Sequence, residues 1–395
     1  MTNVVIASAV RTAIGDFGRA LAAIPPCELG ALVAAEAISR AGLAPDAVQQ
    51  TVFGNVIHTA PEDMYLSRVA AMRAGVPETA PALTLNRLCG SGLQAVVTAA
   101  EQIMLGNAGV ALAGGAESMS RAGHLLSARA GQKMGDVRAV DMMVGALTDP
   151  FGGVHMGVTA ENVAARCGID RAAQDAFALE SHRRAAAAIE AGHFRDQILP
   201  ITVRQGRKEV IFDRDEHVRP GVTLDDLAKL HPAFSKEGSV TAGNASGLND
   251  GAAALVLMNE AAAGAAGVRP LARIVAYGLG GVAPDVMGLG PIPASRQALE
   301  RAGLGVQDLD VIESNEAFAA QACAVSDALG FDPARVNPNG GAVALGHPIG
   351  ASGAIILTKL IYELNRTGGR YGLATMCIGG GQGIAVIVEA LGGAA

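Results

Sequence analysis

Tryptophan is missing from this chain, and aromatic residues make up only 3% of its 395 positions. Rings this scarce exclude base-stacking platforms, and a formal net charge of -7 argues against gripping a phosphate backbone. Nucleic acid is therefore not an expected partner. The same scarcity points to tight backbone packing in place of aromatic-lined grooves. Charged residues are few as well, at 17%, against about 25% in an ordinary soluble domain. A chain so poor in charge is expected to bury much of itself and to share surface with other subunits. No apolar run approaches the roughly 20 residues that cross a bilayer, so no membrane segment is expected. The opening Met1-Thr2-Asn3-Val4-Val5-Ile6 lacks a basic n-region and runs into Arg11 and Asp16. That predicts no signal peptide and a cytoplasmic protein. The five cysteines, Cys27, Cys89, Cys167, Cys323 and Cys377, have no CxxC spacing. With the eight histidines they form no metal-ligand pattern, so no metal is expected. In a reducing compartment any of the five is free to act as a thiol.

What the chain has in quantity is glycine, 51 residues, and apolar side chains, half of the total. The apolar run Val4 to Ala7 reads as a strand. Cys27 to Arg40 reads as a helix with Leu29, Leu32, Val33 and Ala37 on one face, and Thr51 to Phe53 as the next strand. Leu93, Val96, Val97, Ala100, Ile103 and Met104 make a helical stripe, and Val110 to Ala113 a strand ended by Gly114-Gly115. This alternation implies a parallel sheet with helices packed on it.

The order then returns. Arg40-Ala41-Gly42-Leu43 recurs 261 positions later as Arg301-Ala302-Gly303-Leu304, and at the same offset Gly90-Ser91-Gly92 faces Ala351-Ser352-Gly353. Gly379-Gly380, after the strand Leu373 to Ile378, stands as the counterpart of Gly114-Gly115. The reading is two copies of one α/β unit. Between them, residues 119–249 are richer in charge, with one strong helix from Arg171 to Ala191 and otherwise loops and short strands. That region reads as an insertion lying over the first copy, and such insertions often carry ligand contacts.

Four places could carry chemistry. Cys89, in Asn86-Arg87-Leu88-Cys89-Gly90-Ser91-Gly92, precedes a helix whose N-terminus would favour the thiolate, predicting a pKa below the ordinary value. His347, in Gly346-His347-Pro348, lies three residues before the position matching Cys89 in the repeat. Two copies packed about a pseudo-twofold bring those helix starts together and make His347 the base for Cys89. Cys377, at a strand end before Gly379-Gly380-Gly381, offers a second thiol for acid/base work, with backbone N–H groups for an oxyanion. Asn315, in Asn315-Glu316-Ala317-Phe318, follows an apolar strand ending at Ile312 and could orient water or an enolate oxygen. Gly278-Leu279-Gly280-Gly281-Val282-Ala283 imitates a dinucleotide fingerprint, but no helix is expected at Pro284 and no acid follows at the right strand end.

Together these segments resemble the thiolase family along essentially the whole chain. Asn-Arg-Leu-Cys89-Gly-Ser-Gly matches its nucleophile segment, and the blocks at Asn315, His347 and Cys377 match its other three active-site motifs. The resemblance implies two pseudo-symmetric βαβαβαββ domains in a five-layered α-β-α-β-α core with an inserted loop domain. The boundaries drawn are 1–118 with 250–269, the insertion 119–249, and 270–395. It implies reversible CoA-dependent cleavage of short-to-medium 3-ketoacyl-CoA through an acyl-Cys89 intermediate, or the reverse Claisen condensation. In it His347 activates Cys89 and Cys377 exchanges protons with acetyl-CoA and CoA. His347 with an Asn315-held water would form one oxyanion hole, and the amides of Cys89 and Gly379 the other. CoA is a substrate and no cofactor is implied. His155, Met156, Arg219, Phe234 and Ser246 match the family's pantetheine and nucleotide path, and Ala317 and Phe318 lie beside the thioester end. Leu147 and Met287 match positions near the acyl pocket. Pro61 to Leu66 and Ala139 to Met143 resemble bacterial β-ketothiolases, and a homotetramer built as a dimer of dimers is implied. Decarboxylating condensing enzymes share this fold but usually pair their Cys with two His, or with His and Asn; Cys377 in that place favours a thiolase. A non-catalytic acyl-CoA carrier would not need Cys89, His347 and Cys377 together, and a thiol oxidoreductase lacks its CxxC.

Overall fold

Val4–Thr12 (β1) is buried along its whole length, as suits a strand covered on both faces. The computed structural model, which describes residues 2–129 and 131–392, sets β1 in the middle of one large sheet. After it come α1 (Pro26–Arg40), β2 (Gln50–Gly54), α2 (Leu66–Arg73), β3 (Ala82–Leu85), α3 (Ser91–Met104) and β4 (Val110–Ser118). The intervening region contributes α4 (Met156–Cys167) and α5 (Arg171–Ala191) before β5 (Asn249–Asn259) closes the first half. The second half runs β6 (Ala272–Gly281), α6 (Pro291–Ala302), β7 (Val311–Ser314), α7 (Ala319–Leu329), α8 (Ser352–Thr367), β8 (Tyr371–Ile378) and β9 (Gln382–Ala390).

The strand order is β7-β8-β9-β6-β1-β5-β4-β2-β3. Read outward from the seam where Val5 and Ile6 meet Arg273 and Ala272, both halves give the same succession over four strands, β1-β5-β4-β2 and β6-β9-β8-β7, with β3 added at the first half's edge, so the repeat is real. Helices α1 and α6 cover the outer faces of their half-sheets, while α3 and α8 pack on each other between the half-sheets. That makes five layers. The turns that end α1 and α6 are built alike, with Gly42 at φ 68 and Gly303 at φ 66, the left-handed position that stops a helix. The second matched pair has a different use. A Cβ on Gly353 would stand 2.2 Å from Leu93 N and one on Gly92 2.8 Å from Ala354 N. Glycine at both places lets the two central helices touch backbone to backbone at their first turns.

Several expectations fail for identifiable reasons. The sheet is mixed: β2–β3, β2–β4 and β7–β8 are parallel, but β5 and β9 run antiparallel to both their neighbours. Strands β8 and β9 are joined by the short Gly379–Gly381 turn, which permits only an antiparallel pair. Gly114 and Gly115 do not end a strand. They lie inside β4, where a Cβ would come within 2.1 Å of Ala253 O and 2.2 Å of Gly350 O, so they are no counterpart of Gly379-Gly380. Leu32 and Met104, placed on buried stripes from spacing, are exposed. The glycines at 278 and 280 press β6 against α6, where a Cβ on Gly278 would meet Ala294 O at 2.1 Å; a 3-10 turn does start at Pro284.

The intervening region also departs from its reading. It contains α4 as well as α5, and α4 was visible in the spacing of Met156, Ala160, Val163 and Ala164, all buried. Both helices pack against α7, α5 also against the short helix Ala342–Leu345, and α4 against the Pro284–Leu289 turn. The insertion therefore lies largely over the second copy. Gly340, at φ 75, allows this, because a Cβ there would strike Ser181 O at 2.6 Å. A buried bidentate pair of Arg11 and Asp215, at 2.7 and 3.0 Å, ties the same region back to β1.

Candidate active site

The loop before α3 is folded by its own side chains. The Leu88 N–H donates to Asn86 Oδ1 at 2.8 Å, which helps hold Leu88 at φ 47, an uncommon conformation for a branched residue. Ser91 Oγ accepts the Arg87 N–H at 2.8 Å and donates to Leu88 O at 2.7 Å. Gly90 lets the loop press on β8, since a Cβ there would lie 2.4 Å from Ile378 Cδ1. Cys89 thus faces the end of β8, where the Gly379 N–H favours its thiolate. The expected depressed pKa is not found. Burial pushes the Cys89 thiol up to about 11 against the lowering from Gly379, with Glu117 raising it slightly further. A helix N-terminus contributes roughly 0.3–1 kcal/mol, less than burial of a thiolate costs.

Cys377 is fully buried at the end of β8. Burial raises its pKa well above the ordinary thiol value, and the nearby Cys89 raises it more. The two sulfurs therefore belong to one site, both protonated at rest.

His347 comes from the second half. Its loop turns at Gly346, φ 105, where the Asn249 side chain occupies the space a Cβ would need. Asn249 Oδ1 accepts the His347 N–H at 2.8 Å while its Nδ2 donates to Gly15 O at 3.1 Å. The imidazole is buried, with Nδ1 2.6 Å from Ser352 Oγ and Nε2 unbonded among the described residues. Burial lowers its pKa to about 4, so it is neutral near pH 7. Behind both loops Glu117 accepts the N–H groups of Val56, Ile57 and Gly350 at 2.9–3.1 Å. Sequence reasoning missed Asn249, Glu117 and Ser352. Only Ser352 left a signal, through its match to Ser91. Asn315 is buried at the end of β7, and neither amide atom of its side chain bonds to the described residues.

A cavity of about 430 Å3 opens on this constellation. Cys89, His347 and Gly379 line it together with Leu147, His155, Met156, Arg219, Phe234, Ser246, Met287, Ala317 and Phe318. Every side chain nominated for substrate contact is there; Cys377 and Asn315 stand behind its wall. Two phenylalanines, Phe234 and Phe318, stand in its wall, against the expectation of no aromatic lining. His155 stacks on Phe234 at 4.8 Å, and Phe234 meets Phe318 edge-on at 6.2 Å. Gly157 permits the stack, since a Cβ would lie 2.2 Å from the Phe234 ring. Arg219 and His217 add polar groups, His217 bonding Asp16 at 2.8 Å. On the Cys89 side the lining is aliphatic, formed by Met119, Met143, Ala146, Leu147, Leu248 and Ile349.

Residues 4–261 match "Thiolase, N-terminal domain" and residues 268–390 match "Thiolase, C-terminal domain". The chain belongs to the thiolase family. Its relatives include the beta-ketothiolase BktB of Cupriavidus necator, 64% identical over 98% of this chain and 99% of that one. The acetyl-CoA acetyltransferase of Shinella zoogloeoides is 55% identical over the same shares. The human mitochondrial 3-ketoacyl-CoA thiolase superposes with a TM-score of 0.97 at 43% identity, covering 98% of this chain and 99% of that one. The same enzyme solved in complex with CoA gives a TM-score of 0.96, covering 98% of each chain. As a thiolase the chain is an acyltransferase with the thiolase fold. No helix among the described residues is long and apolar enough to cross a membrane.

Proposed function

We propose that this thiolase cleaves short-to-medium 3-ketoacyl-CoA with CoA, or runs the reverse condensation, with both carbon-chain steps in the cavity lined by Cys89 and His347 and backed by Cys377. The observation that carries the reading is the neutral His347, its Nε2 unbonded among the described residues, lining one cavity with Cys89 and Gly379. As Cys89 attacks the keto carbon, its proton passes to His347 Nε2. The carbon–carbon bond breaks, and the electron pair leaves as the acetyl-CoA enolate, which takes the proton of Cys377. CoA then gives its thiol proton to the Cys377 thiolate and attacks the acyl-Cys89 thioester. Cys89 departs and recovers its proton from His347. Two thiols that are neutral at rest suit this scheme, because each ionises only while its proton has a place to go. The N–H groups of Cys89 and Gly379 are assigned to one oxyanion, and His347 with an Asn315-held water to the other.

CoA is taken as substrate, with Arg219 toward its phosphates and the His155–Phe234–Phe318 wall along the pantetheine. No cofactor is invoked. The aliphatic lining beside Cys89 is assigned to the acyl chain. The unit boundaries at 118, 250 and 270 are kept as a proposal, as is the cytoplasmic location. A homotetramer is supported by exposed apolar residues on the hairpin of His124–Leu126 and Ala139–Asp141, where Leu125, Leu126 and Val140 are about half exposed.

CoA-dependent cleavage of acetoacetyl-CoA and of a six-carbon 3-ketoacyl-CoA, measured side by side, tests the reading. Cleavage of both is expected. Cleavage of acetoacetyl-CoA alone would remove the roomy acyl pocket, and cleavage of neither would remove the activity.

A further inference from the structure

The repeat carries a device that the catalytic motifs do not include. Ser91 and Ser352 occupy matching positions, each the first residue of a central helix. In the first copy the direction of every hydrogen bond is unambiguous. The partner of Ser91 Oγ is the Arg87 N–H, which can only donate, so the hydroxyl accepts there and sends its hydrogen to Leu88 O. That carbonyl also takes the Ser91 N–H at 2.9 Å. The second copy repeats the arrangement. Pro348 O takes the Ser352 N–H at 2.9 Å and the Ser352 hydroxyl at 2.9 Å. What approaches the Ser352 lone pair, in place of a backbone N–H, is His347 Nδ1 at 2.6 Å. A hydroxyl has one hydrogen to give.

We propose that Ser352 is a positioning residue that fixes the His347 tautomer: its oxygen accepts Nδ1–H, leaving Nε2 as a bare lone pair turned toward the thiol chemistry. This rests on the thiolase reading for its kinetic consequence but not for the tautomer itself. Two separate facts converge on it. The Ser352 hydrogen is already engaged with Pro348 O, and Nε2 is the one buried ring atom that bonds to nothing among the described residues. Once Nε2 takes a proton, the same oxygen still accepts Nδ1–H, so the imidazolium keeps a partner in a buried setting. The titratable groups around the loop are Cys89, which lines the same cavity, and Glu117, which reaches it through the Gly350 N–H. Among the described residues no carboxylate touches the ring, which makes the serine hydroxyl its sole orienting partner. A matching position in an internal repeat has thus been turned from a backbone clamp into an imidazole clamp.

The expected results are these. Ser352→Ala leaves Nδ1–H without an acceptor and lets the other tautomer compete. Its rate of Cys89 acylation and its kcat fall by about 10- to 100-fold, below the full general-base factor of roughly 10² to 10⁴. KM for CoA stays within about twofold, and Ser352→Thr, which keeps the oxygen, recovers most of the rate. A wild-type rate in Ser352→Ala, in an enzyme that itself turns over, would sink the proposal while leaving the thiolase reading intact. If the wild-type protein turns over no 3-ketoacyl-CoA, the functional reading fails, and the tautomer is then read directly. Solid-state ¹⁵N spectra of histidine-labelled wild type, with the His347→Asn spectrum subtracted, should assign a protonated Nδ1 and a bare Nε2 at neutral pH. The opposite tautomer would overturn the proposal whatever the kinetics, and this readout also stands if Ser352→Ala does not fold.

Discussion

Cys89 shows how burial outweighs a favourable dipole. The thiol sits where a helix begins, yet its pKa rises to about 11 because the thiolate would lie in a wall of apolar residues. Iodoacetamide should therefore alkylate free enzyme at Cys89 with a rate that climbs steadily from neutral pH toward pH 10. A plateau below pH 7 would mean a resting thiolate and would contradict this picture. Of the other four thiols, Cys27 and Cys377 are buried, Cys323 is half-buried and Cys167 is exposed; near neutral pH labelling of the exposed Cys167 is expected to outpace that of Cys89, and the gap should close as pH rises. Cys377→Ser should still form acyl-Cys89 from acyl-CoA, but lose turnover by about 10³-fold, since a hydroxyl is a far weaker acid than a thiol in the same site. Trapping of the acyl-enzyme by mass spectrometry, beside steady-state rates, separates the two steps; normal turnover would dismiss Cys377 as the proton carrier. The motif residues were legible in the sequence because their neighbours are glycines with defined duties. Asn249 and Glu117 were not, since their partners lie 98 and 233 positions away in the chain.

At the scale of elements, the two central helices decide the site. They can meet at their first turns only because Gly92 and Gly353 carry no side chain, and that meeting brings the Cys89 and His347 loops to one cavity. Gly353→Ala should cost about 3 kcal/mol or more, because the clash is with Leu93 N rather than with a flexible side chain tip. Urea unfolding followed by circular dichroism measures it, and a midpoint unchanged from wild type would refute the crossing. The cavity wall makes its own demand. Phe234 stacks on His155 and packs over Gly157, so Phe234→Ala should raise KM for CoA by about tenfold while changing kcat little. A drop in kcat with KM unchanged would move Phe234 from binding to catalysis. The helix pattern of α1, α3 and α5 was readable from spacing. The direction of β5 was not, because it depends on where an insertion of more than a hundred residues returns the chain.

Across the whole molecule, two α/β units meet along β1 and β6 and both line the candidate active-site cavity. Neither unit holds the proposed chemistry alone: Cys89 comes from the first, His347 and Cys377 from the second. Apolar side chains left outside follow from the same economy of charge. If the exposed hairpin joins subunits, Leu125→Asp with Leu126→Asp should convert a tetramer to a smaller species in sedimentation analysis, with the site itself unaltered. An unchanged mass would place the subunit contact elsewhere. By itself the sequence determined the repeat and singled out Cys89, His347 and Cys377 as the residues proposed for the chemistry, because each lies in a local motif whose glycines and helix starts act over a few residues. Only the tertiary structure decided that the insertion lies on the second unit, that the sheet is mixed, that Cys89 is protonated at rest and that Ser352 holds the imidazole. Those depend on burial and on contacts between residues far apart in the chain, and neither burial nor distance is written in local spacing.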